Sequence, residues 1–428
     1  MDRRVIENAR TGEKYTIIEH SSGLKICIWK MEGYSTSYAM FGTRYGSVNT
    51  TFKTKEDSDF ITVPNGIAHY LEHKLFENED CNVFNLYAKT GASANAYTSF
   101  DKTCYLFSCT DNFEQSLEIL LDFVQKPYFT KENVDKEQGI IAQEIRMYDD
   151  TASWQVFFNM LRGLYHNNPV NIDIAGTVES IAEITPELLY KCYYSFYNLQ
   201  NMVLSIAGNV DEDKILEICD RLLIPNEDKE LKVKFPDEPA EVAEKLIRVQ
   251  KEISMPLFNI GYKSEAYEGM EMLRAETETN MVLSLLADES TDFYKKLYDE
   301  GMINSAFYSE VFSGSGFFAS IFGGESRCPE KVLELLNEEI EYRKLNGFDK
   351  ELFENVKKSY YGSLIRDLNS PEAIATNMIN CCMEGISPFD VIDTVAAITL
   401  EDVQARLKKQ FDTDRVTISI VEPLENEE

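Results

Sequence analysis

Basic residues and histidines are scarce in this chain of 428 residues. Lysine and arginine number 42 against 73 acidic residues, the formal net charge is −31, and there are four histidines. A surface this negative repels nucleic-acid phosphates and anionic membranes, so we expect neither as a partner. Its ordinary consequences are a well-solvated surface and an attraction for basic peptides.

Long apolar runs are also missing. The N-terminal segment interleaves charged side chains and has no apolar stretch of roughly 7–15 residues like that of a secretory signal. No window approaches the roughly 18 continuous apolar residues of a membrane helix. The nine cysteines include no C-x-x-C pair, and the adjacent Cys381 and Cys382 have poor geometry for a disulfide with each other. We therefore expect a cytoplasmic protein with reduced thiols.

Common catalytic and nucleotide-binding motifs are absent. The glycine-rich run Gly-Ser-Gly-Phe-Phe from Gly314 has neither the third glycine of a dinucleotide fingerprint nor the Gly-Lys-Ser/Thr of a phosphate loop. We interpret it as a hairpin turn. The chain also has no G-x-S-x-G elbow, which removes the usual signature of a serine hydrolase.

Half of the histidines lie within one short motif, His69-Tyr70-Leu71-Glu72-His73. Positions three and four apart share one face of a helix, so both imidazoles and the Glu72 carboxylate can converge on one point. Neutral imidazoles suit zinc, and a nearby carboxylate can take a proton from a water molecule that zinc activates. Asn65 is the predicted N-cap of a helix that extends through Phe76. This motif predicts a zinc hydrolase.

A catalytic zinc ion requires a third protein ligand and keeps a fourth position for water. The other histidines, His20 and His166, lie in a strand-like and a turn-like segment and are not obviously beside the motif helix. Glu137 and Glu144 are seven positions apart in a predicted helix, which returns them to nearly the same face. One could ligate zinc while the other supports it, or both could simply belong to a solvated acidic face.

A helix-strand pattern occurs twice in the chain. The segment from Ile184 is echoed by the segment from Ile398, 214 positions further on, and each begins with a Thr-capped helix that leads into a strand. We predict the α+β class, with two structurally similar halves, each a mainly antiparallel sheet covered by helices on one face. The predicted domains are 1–224 and 245–428, joined by a charged linker at 225–244 that contains three prolines.

The motif and the later glutamate pair together resemble the inverzincin zinc peptidases, the family of pitrilysin, insulin-degrading enzyme and mitochondrial processing peptidase. The resemblance extends to Arg-Tyr-Gly-Ser-Val before the motif, Gly-Ala-Ser-Ala-Asn-Ala-Tyr-Thr-Ser after it, and the segment from Tyr165 to Ile181. It covers the whole first half of the chain and is weaker in the second.

The resemblance implies a role for each matching residue. His69, His73 and Glu144 would bind one zinc ion, with Glu72 as the general base and Glu137 supporting the site. The Asn-Ala of the second stretch implies that Asn95 and Ala96 lie on an edge strand that pairs with the substrate backbone. An ordinary solvated edge strand is the alternative for that segment.

The second half departs from the family pattern. Catalytic relatives carry there an arginine and a tyrosine in a pattern like L-R-x5-G-Y, which bind the substrate carbonyl. Aligning that pattern on Leu-Tyr-Asp-Glu-Gly-Met-Ile-Asn-Ser puts Tyr298 and Ser305 at the two positions, so both donors are missing. Tyr294 and Tyr308 are the candidates to replace one donor, and Arg327 is the only nearby arginine downstream.

The resemblance therefore implies a zinc-dependent endopeptidase or oligopeptidase that hydrolyses peptides in an enclosed chamber. It looks like the short bacterial, zinc-bearing subunit of a two-subunit enzyme whose zinc-less homologous partner supplies the Arg/Tyr pair. A homodimer is the other assembly expected. Two alternatives remain: a non-catalytic assembly subunit of the same family, and a peptide-binding module that holds zinc structurally.

Overall fold

The structure, a computed structural model, describes residues 2–79 and 82–424, and the remaining positions lie outside it. Its strands are β1 (Asp2–Glu7), β2 (Lys14–Glu19), β3 (Lys25–Lys30), β4 (Ser37–Thr43), β5 (Thr51–Lys53), β6 (Ile61–Thr62), β7 (Ser93–Thr98), β8 (Thr103–Cys109), β9 (Met202–Gly208), β10 (Lys232–Val233), β11 (Leu246–Lys251), β12 (Leu257–Ser264), β13 (Tyr308–Gly314), β14 (Phe317–Glu325) and β15 (Val416–Pro423). Its α-helices are α1 (Ile67–Leu75), α2 (Val83–Thr90), α3 (Phe113–Val124), α4 (Lys131–Asp150), α5 (Ala152–Leu164), α6 (Val178–Ile181), α7 (Pro186–Phe196), α8 (Glu212–Leu222), α9 (Gly269–Ala287), α10 (Asp292–Asp299), α11 (Pro329–Asn346), α12 (Lys350–Asp367), α13 (Pro371–Glu384), α14 (Pro388–Ala397) and α15 (Leu400–Gln410).

The chain forms two compact units, each made of three segments. The first comprises the chain up to Ile145, Ile174–Lys234 and Leu364–Asp390. The second comprises Arg146–Asp173, Phe235–Ser363 and the chain from Val391 onward. The chain therefore passes between the units several times. One of these crossings follows Lys234 and lies inside the predicted linker 225–244, in which β10 pairs with β5.

The first unit is built on a sheet with the strand order β1-β2-β3-β9-β4-β8-β7. All neighbours in it are antiparallel except β3 and β9, which are parallel. One face of this sheet supports an apolar core that includes Phe41, Phe107 and Leu120, together with residues of α1, α3, α4 and α7. β7 is therefore an edge strand, and the helices of this core lie beside it.

The second unit repeats the same strand arrangement. Its order is β11-β15-β12-β14-β13, with β11 and β15 parallel and the other neighbours antiparallel. The five strands correspond in order and direction to β3-β9-β4-β8-β7 of the first unit. The prediction of two similar α+β halves with mainly antiparallel sheets is confirmed.

The repeated segment accounts for this correspondence. The Thr185 hydroxyl caps α7 by accepting from Leu188 N at 3.3 Å, and Thr399 caps α15 through a capping box. Each helix leads into an inner strand, β9 or β15, which pairs in parallel on one side and antiparallel on the other. The predicted hairpin at Gly314 is also present, since β13 and β14 pair directly across it.

Each sheet also carries a helix from the other half of the sequence. α5 packs on β12 and β15 in the second unit, and α13 packs on β4 and β9 in the first. In β4, Phe41 lies in the apolar core while Met40 contacts Thr376 of α13 at 3.6 Å. The first sheet therefore has helices on both faces, whereas helices on one face were predicted. The predicted domains 1–224 and 245–428 are contiguous, so they assign α5 to the first domain and α13 to the second, the reverse of what the structure shows.

Within residues 2–79 and 82–424, no helix is both long enough and apolar enough to span a lipid bilayer.

Candidate metal centre

The motif helix α1 begins at a glycine. Gly66 is its N-cap, with a left-handed φ of 86°, and none of the described side chains caps the helix. A Cβ at Gly66 would lie 2.2 Å from the carbonyl oxygen of Ala175, so only glycine fits this approach. The prediction of Asn65 as N-cap is wrong because the chain must turn one residue later; the Asn65 carbonyl instead accepts from Ser180 Oγ at 2.9 Å.

The apolar face of α1 fixes the direction of its polar face. Tyr70, Leu71 and Leu75 are almost fully buried in the core of the first unit, and the Tyr70 hydroxyl donates to the backbone carbonyl of Val134 at the start of α4. This contact holds α1 against α4. His69 and His73 lie outside this apolar face and are directed at Glu137 and Glu144 of α4.

The two histidines meet Glu144. His69 Nε2 lies 3.8 Å from Glu144 Oε1, and His73 Nε2 lies 3.5 Å from Glu144 Oε2. One ligand atom from each of the three residues lies within 4.8 Å of the other two, and among the described residues this is the group of His, Cys, Asp and Glu with metal-binding spacing. These separations are too long for hydrogen bonds. They are close to the roughly 3.3 Å that separates ligands placed tetrahedrally about 2.0–2.1 Å from zinc.

Glu137 orients one of the histidines. His73 Nδ1 lies 3.0 Å from Glu137 Oε1. Burial raises the pKa of Glu137, but the hydrogen bond and charge of His73, with help from Lys74 and Lys136, lower it overall, so the carboxylate is ionised and accepts. His73 Nδ1 is then the donor, which leaves the Nε2 lone pair directed toward Glu144.

The electrostatics of the two imidazoles differ. Burial, and then the proximity of His73, lowers the pKa of His69 to about 3, so this ring is neutral at physiological pH. Burial lowers the pKa of His73 as well, but the hydrogen bond to Glu137 and the charges of Glu72 and Glu144 outweigh it and raise the pKa overall. The carboxylates therefore favour positive charge at the point where the three groups meet.

Glu72 lies beside this group but is held by a different strand. Its side chain is buried, and Oε2 accepts from the Thr98 hydroxyl at 2.6 Å. Burial raises the pKa of Glu72, while the Thr98 hydrogen bond and the charge of His73 lower it in part. A buried carboxylate with a raised pKa suits a group that takes up a proton and gives it away near neutral pH.

The residues present fit a divalent metal of the zinc type. Two imidazoles and one carboxylate form the donor set of many hydrolytic zinc sites. Among the described residues none forms a hydrogen bond with the buried His69 Nδ1, and both imidazole Nε2 atoms lie beyond hydrogen-bond distance of Glu144, so the polar groups of the centre do not satisfy one another. Glu137 supplies the outer hydrogen bond that ligating histidines usually make.

Asn95 and Ala96 lie on the edge strand β7, as predicted. Both line a cavity of about 660 Å³ that also contacts Glu72, His73 and Glu137. Within residues 2–79 and 82–424, β7 pairs with β8 alone, so its other edge has backbone groups available to an extended chain. Phe84 is 46% exposed and Ile140 is 47% exposed, and they give the cavity apolar walls.

Thr98 was not predicted as a functional residue. The sequence shows a threonine at this position, but its role arises only because the end of β7 lies beside α1, where the hydroxyl reaches Glu72. The period of two along β7 places Thr98 on the same face as Ala94 and Ala96, both of which pack against the core that contains α1. That periodicity is the signal that could have found it.

The remaining sequence candidates lie elsewhere. His20 is buried and bonded to Ser22 Oγ at 2.8 Å and Asp220 Oδ1 at 3.0 Å, which is a structural role. His166 belongs to the second unit, where its backbone N–H donates to Glu238 at 2.9 Å. Neither belongs to the metal-binding group, in agreement with the sequence analysis.

The second unit holds the residues considered for carbonyl binding. Tyr298 is half exposed on α10 and stacks on Tyr294 at 5.9 Å between ring centres. Tyr308, at the start of β13, donates to Asn259 Oδ1 at 3.1 Å. Arg327 lies between β14 and α11, and Ser305 precedes β13.

Known proteins similar to this chain include members of a peptidase family. Residues 62–178 match the model of insulinase, peptidase family M16, and residues 183–360 match the model of the peptidase M16 inactive domain. The chain is 40% identical over 412 residues to a Bacillus subtilis protein named uncharacterized zinc protease YmfH, covering 94% of this chain and 95% of that one. It is 25% identical over 374 residues to uncharacterized zinc protease YmxG of the same organism, covering 85% and 89%.

Solved structures show the same fold. A protein of Alicyclobacillus acidocaldarius described as an M16-like peptidase superposes with a TM-score of 0.92 at 33% identity, covering 99% of this chain and 98% of that one. A protease from Helicobacter pylori superposes with a TM-score of 0.83 at 18% identity, covering 96% and 100%. At that lower identity the second likeness concerns the fold alone.

Proposed function

Because the chain belongs to the M16 (insulinase) family of peptidases, we propose that it is an active zinc-dependent endopeptidase or oligopeptidase. The observation that carries the proposal is the convergence of His69, His73 and Glu144 beside the buried carboxylate of Glu72. The insulinase match at residues 62–178 contains all four residues.

The chemistry divides among the residues of the centre. His69, His73 and Glu144 would hold one zinc ion, which when bound polarises the scissile carbonyl and makes water acidic enough to lose a proton near neutral pH. Glu72 takes the proton from the attacking water and gives it to the leaving nitrogen. Glu137 keeps His73 in the tautomer whose Nε2 points inward. The reaction is therefore hydrolysis of a peptide bond.

The substrate is an extended peptide. Its backbone would pair with the outer edge of β7 at Asn95 and Ala96, which places the scissile bond beside Glu72. The apolar walls formed by Phe84 and Ile140 would contact a substrate side chain. Peptides that cannot become extended would be poor substrates, because a folded segment has no free backbone edge to offer.

The test is an assay of the purified chain with its metal content measured in parallel. We expect about one zinc per chain, at least a low rate of cleavage of unstructured peptides, loss of cleavage with 1,10-phenanthroline, and recovery when zinc is added back. Circular dichroism before and after chelation is the control for folding. A chain that binds no zinc at micromolar concentrations of the metal would overturn the proposal and favour a non-catalytic assembly subunit. A chain that binds zinc but cleaves nothing under any condition would favour a peptide-binding module.

We further propose that the chain acts with a partner in enclosing its substrate. The second half carries no arginine at the position where catalytic relatives would supply one, which motivates a heterodimer with a zinc-less homologue that brings an Arg/Tyr pair; a homodimer is the alternative. The same assay tests this by adding such a homologue from the same organism. Strong stimulation with co-elution supports the heterodimer, whereas full activity of the isolated chain contradicts it.

We expect Thr98 to affect the rate of hydrolysis by holding the carboxylate of Glu72 in position. Thr98→Val keeps the shape of the side chain but removes the hydroxyl that donates to Glu72 Oε2 at 2.6 Å. A hydrogen bond to a charged group contributes about 1.5–3 kcal/mol, so we expect kcat to fall roughly 10- to 100-fold with little change in KM. Steady-state kinetics on one peptide measures this.

Thr98→Ser is the matched control, because serine keeps the donor and should retain most of kcat. Both variants should bind zinc like the parent chain. A Thr98→Val enzyme with unchanged kcat, or a serine variant as impaired as the valine variant, would show that the hydroxyl does not position Glu72.

A further inference from the structure

Two cysteine side chains far from each other in sequence are in direct contact in the first unit. The Sγ atoms of Cys27 on β3 and Cys382 on α13 lie 2.8 Å apart, across 355 positions of chain. Nonbonded heavy atoms normally pack at roughly 3.5–4.0 Å, so these thiols are closer than ordinary neighbours.

Side-chain hydrogen bonds from the sheet hold α13, the helix that carries Cys382, independently of any bond between the two thiols. Arg44 donates to the carbonyls of Met383 at 2.9 Å and Cys382 at 3.2 Å, which fixes the last turn of α13. Ser205 Oγ on β9 donates to the Ala375 carbonyl at 2.8 Å, which fixes its first half. The helix is therefore attached to the sheet at both ends, and Cys382 is directed at β3.

The close approach of α13 also depends on the sheet beneath it. A Cβ at Gly42 on β4 would lie 2.8 Å from Ile379 Cδ1 and 2.9 Å from Met383 Cε, so the helix packs where the sheet has no side chain. Cys27 is fully buried and Cys382 is 2% exposed. Any reagent that reaches them must be small.

The surroundings distinguish the two thiols. The contact with Cys27 lowers the pKa of Cys382, and the positive charges of Lys25 and Arg44 lower it further against the effect of burial. The same contact and burial raise the pKa of Cys27. The positive charge of Arg44, which donates to the Cys382 carbonyl, favours a thiolate at Cys382, so we assign the attack to this thiol and the second step to Cys27.

We propose that Cys27 and Cys382 form a redox pair that a hydroperoxide converts reversibly into a disulfide joining α13 to β3. The Cys382 thiolate attacks one peroxide oxygen, the O–O bond breaks, and the thiolate becomes a sulfenic acid as water leaves. The Cys27 sulfur then attacks the sulfenic sulfur and releases a second water. Two thiols and one hydrogen peroxide thus give one disulfide and two waters, and a dithiol reductant restores the thiols.

Other described cysteines do not form such a pair. Burial raises the pKa of Cys104 to about 11 and those of Cys192 and Cys219 to about 12, so their thiolates are scarce. Cys381 is adjacent to Cys382, but its Sγ is directed at Asn377 Oδ1 at 3.3 Å. The proposal therefore predicts one cross-link of defined identity.

The experiment uses the full chain, reduced and then treated with one to several equivalents of hydrogen peroxide. After alkylation in denaturant, mass spectrometry should show the loss of two of the nine thiols and a linked peptide pair that contains Cys27 and Cys382. Dithiothreitol should restore all nine. Because the bond closes a loop of most of the chain, the midpoint of thermal unfolding should rise on the order of 5 °C on oxidation.

Cys27→Ser and Cys382→Ser should each abolish the cross-link and the rise in melting temperature, while Cys219→Ser should keep both. A Cys27→Ala variant repeats the test if the serine variant folds poorly. Loss of no thiols, a bond to Cys381, a cross-link between chains, or oxidation of Cys382 to the sulfinic acid alone would each overturn the proposal. None of these results depends on peptidase activity.

Discussion

Replacing Glu72 with glutamine is expected to lower kcat for peptide hydrolysis by about 100- to 10,000-fold, the range that general acid-base groups contribute, while zinc binding is retained. Glutamine has the same shape, but its amide cannot accept the proton of the attacking water or pass it to the leaving nitrogen. The measurement is kcat on a defined peptide, with zinc content determined on the same sample.

Because Glu72 lies outside the metal-binding group, its substitution can change kcat without changing the zinc content. Its carboxylate accepts from Thr98 on β7, whereas the metal-binding group is His69, His73 and Glu144. A glutamine at position 72 can still accept from Thr98 through its carbonyl oxygen, so the local structure should persist. Burial raises the pKa of Glu72, and removing its charge from a buried position should not destabilise the fold.

Glu183→Gln is the matched control for this substitution. Glu183 is exposed in the same unit and lies outside the metal centre, so the same chemical change there should leave kcat unaltered. If Glu72→Gln hydrolysed peptide at the parental rate with full zinc content, another group would have to be the base. If it lost its zinc, Glu72 would be acting as a ligand instead.

Much of the site was predictable because its geometry is local. The spacing of His69, Glu72 and His73 predicts a shared helical face without any knowledge of the rest of the chain, and the structure places them on α1. Glu137 and Glu144 were likewise paired by helical spacing within α4. The meeting of the two helices was not implied by spacing; it came from the family resemblance.

The features that were missed depend on contacts between distant segments. Gly66 replaces Asn65 as the cap because the Ala175 carbonyl, far along the chain, leaves no room for a side chain. Thr98 acquires its role only when β7 lies beside α1. The exchange of α5 and α13 between the units is invisible to periodicity, because an amphipathic helix does not specify which sheet it covers. The similarity of the two halves, by contrast, was predictable, because the pattern of a Thr-capped helix followed by a strand occurs twice in the sequence.

The two glutamates of α4 should affect the metal unequally. Glu144 lies 3.8 Å from His69 Nε2 and 3.5 Å from His73 Nε2, whereas Glu137 contacts His73 Nδ1 at 3.0 Å, on the opposite side of that ring. Losing the outer hydrogen-bond partner of a metal-binding histidine typically costs about 10- to 100-fold in metal affinity. We expect Glu137→Gln to fall in this range and Glu144→Gln to lose more than about 100-fold, because it removes a ligand.

Zinc affinity measured by competition with a chromophoric chelator gives the order of the two variants directly. Glu132→Gln, an exposed change in the first turn of the same helix, should bind zinc like the parent chain. Excess zinc should restore most of the peptidase activity of Glu137→Gln, since all three ligands and the base are still present, but not that of Glu144→Gln. Equal losses would mean that the carboxylates share the metal, and the reverse order would assign ligation to Glu137. Either result would require α4 to present a different face to α1 than the structure shows, because the two side chains lie on opposite sides of the His73 ring.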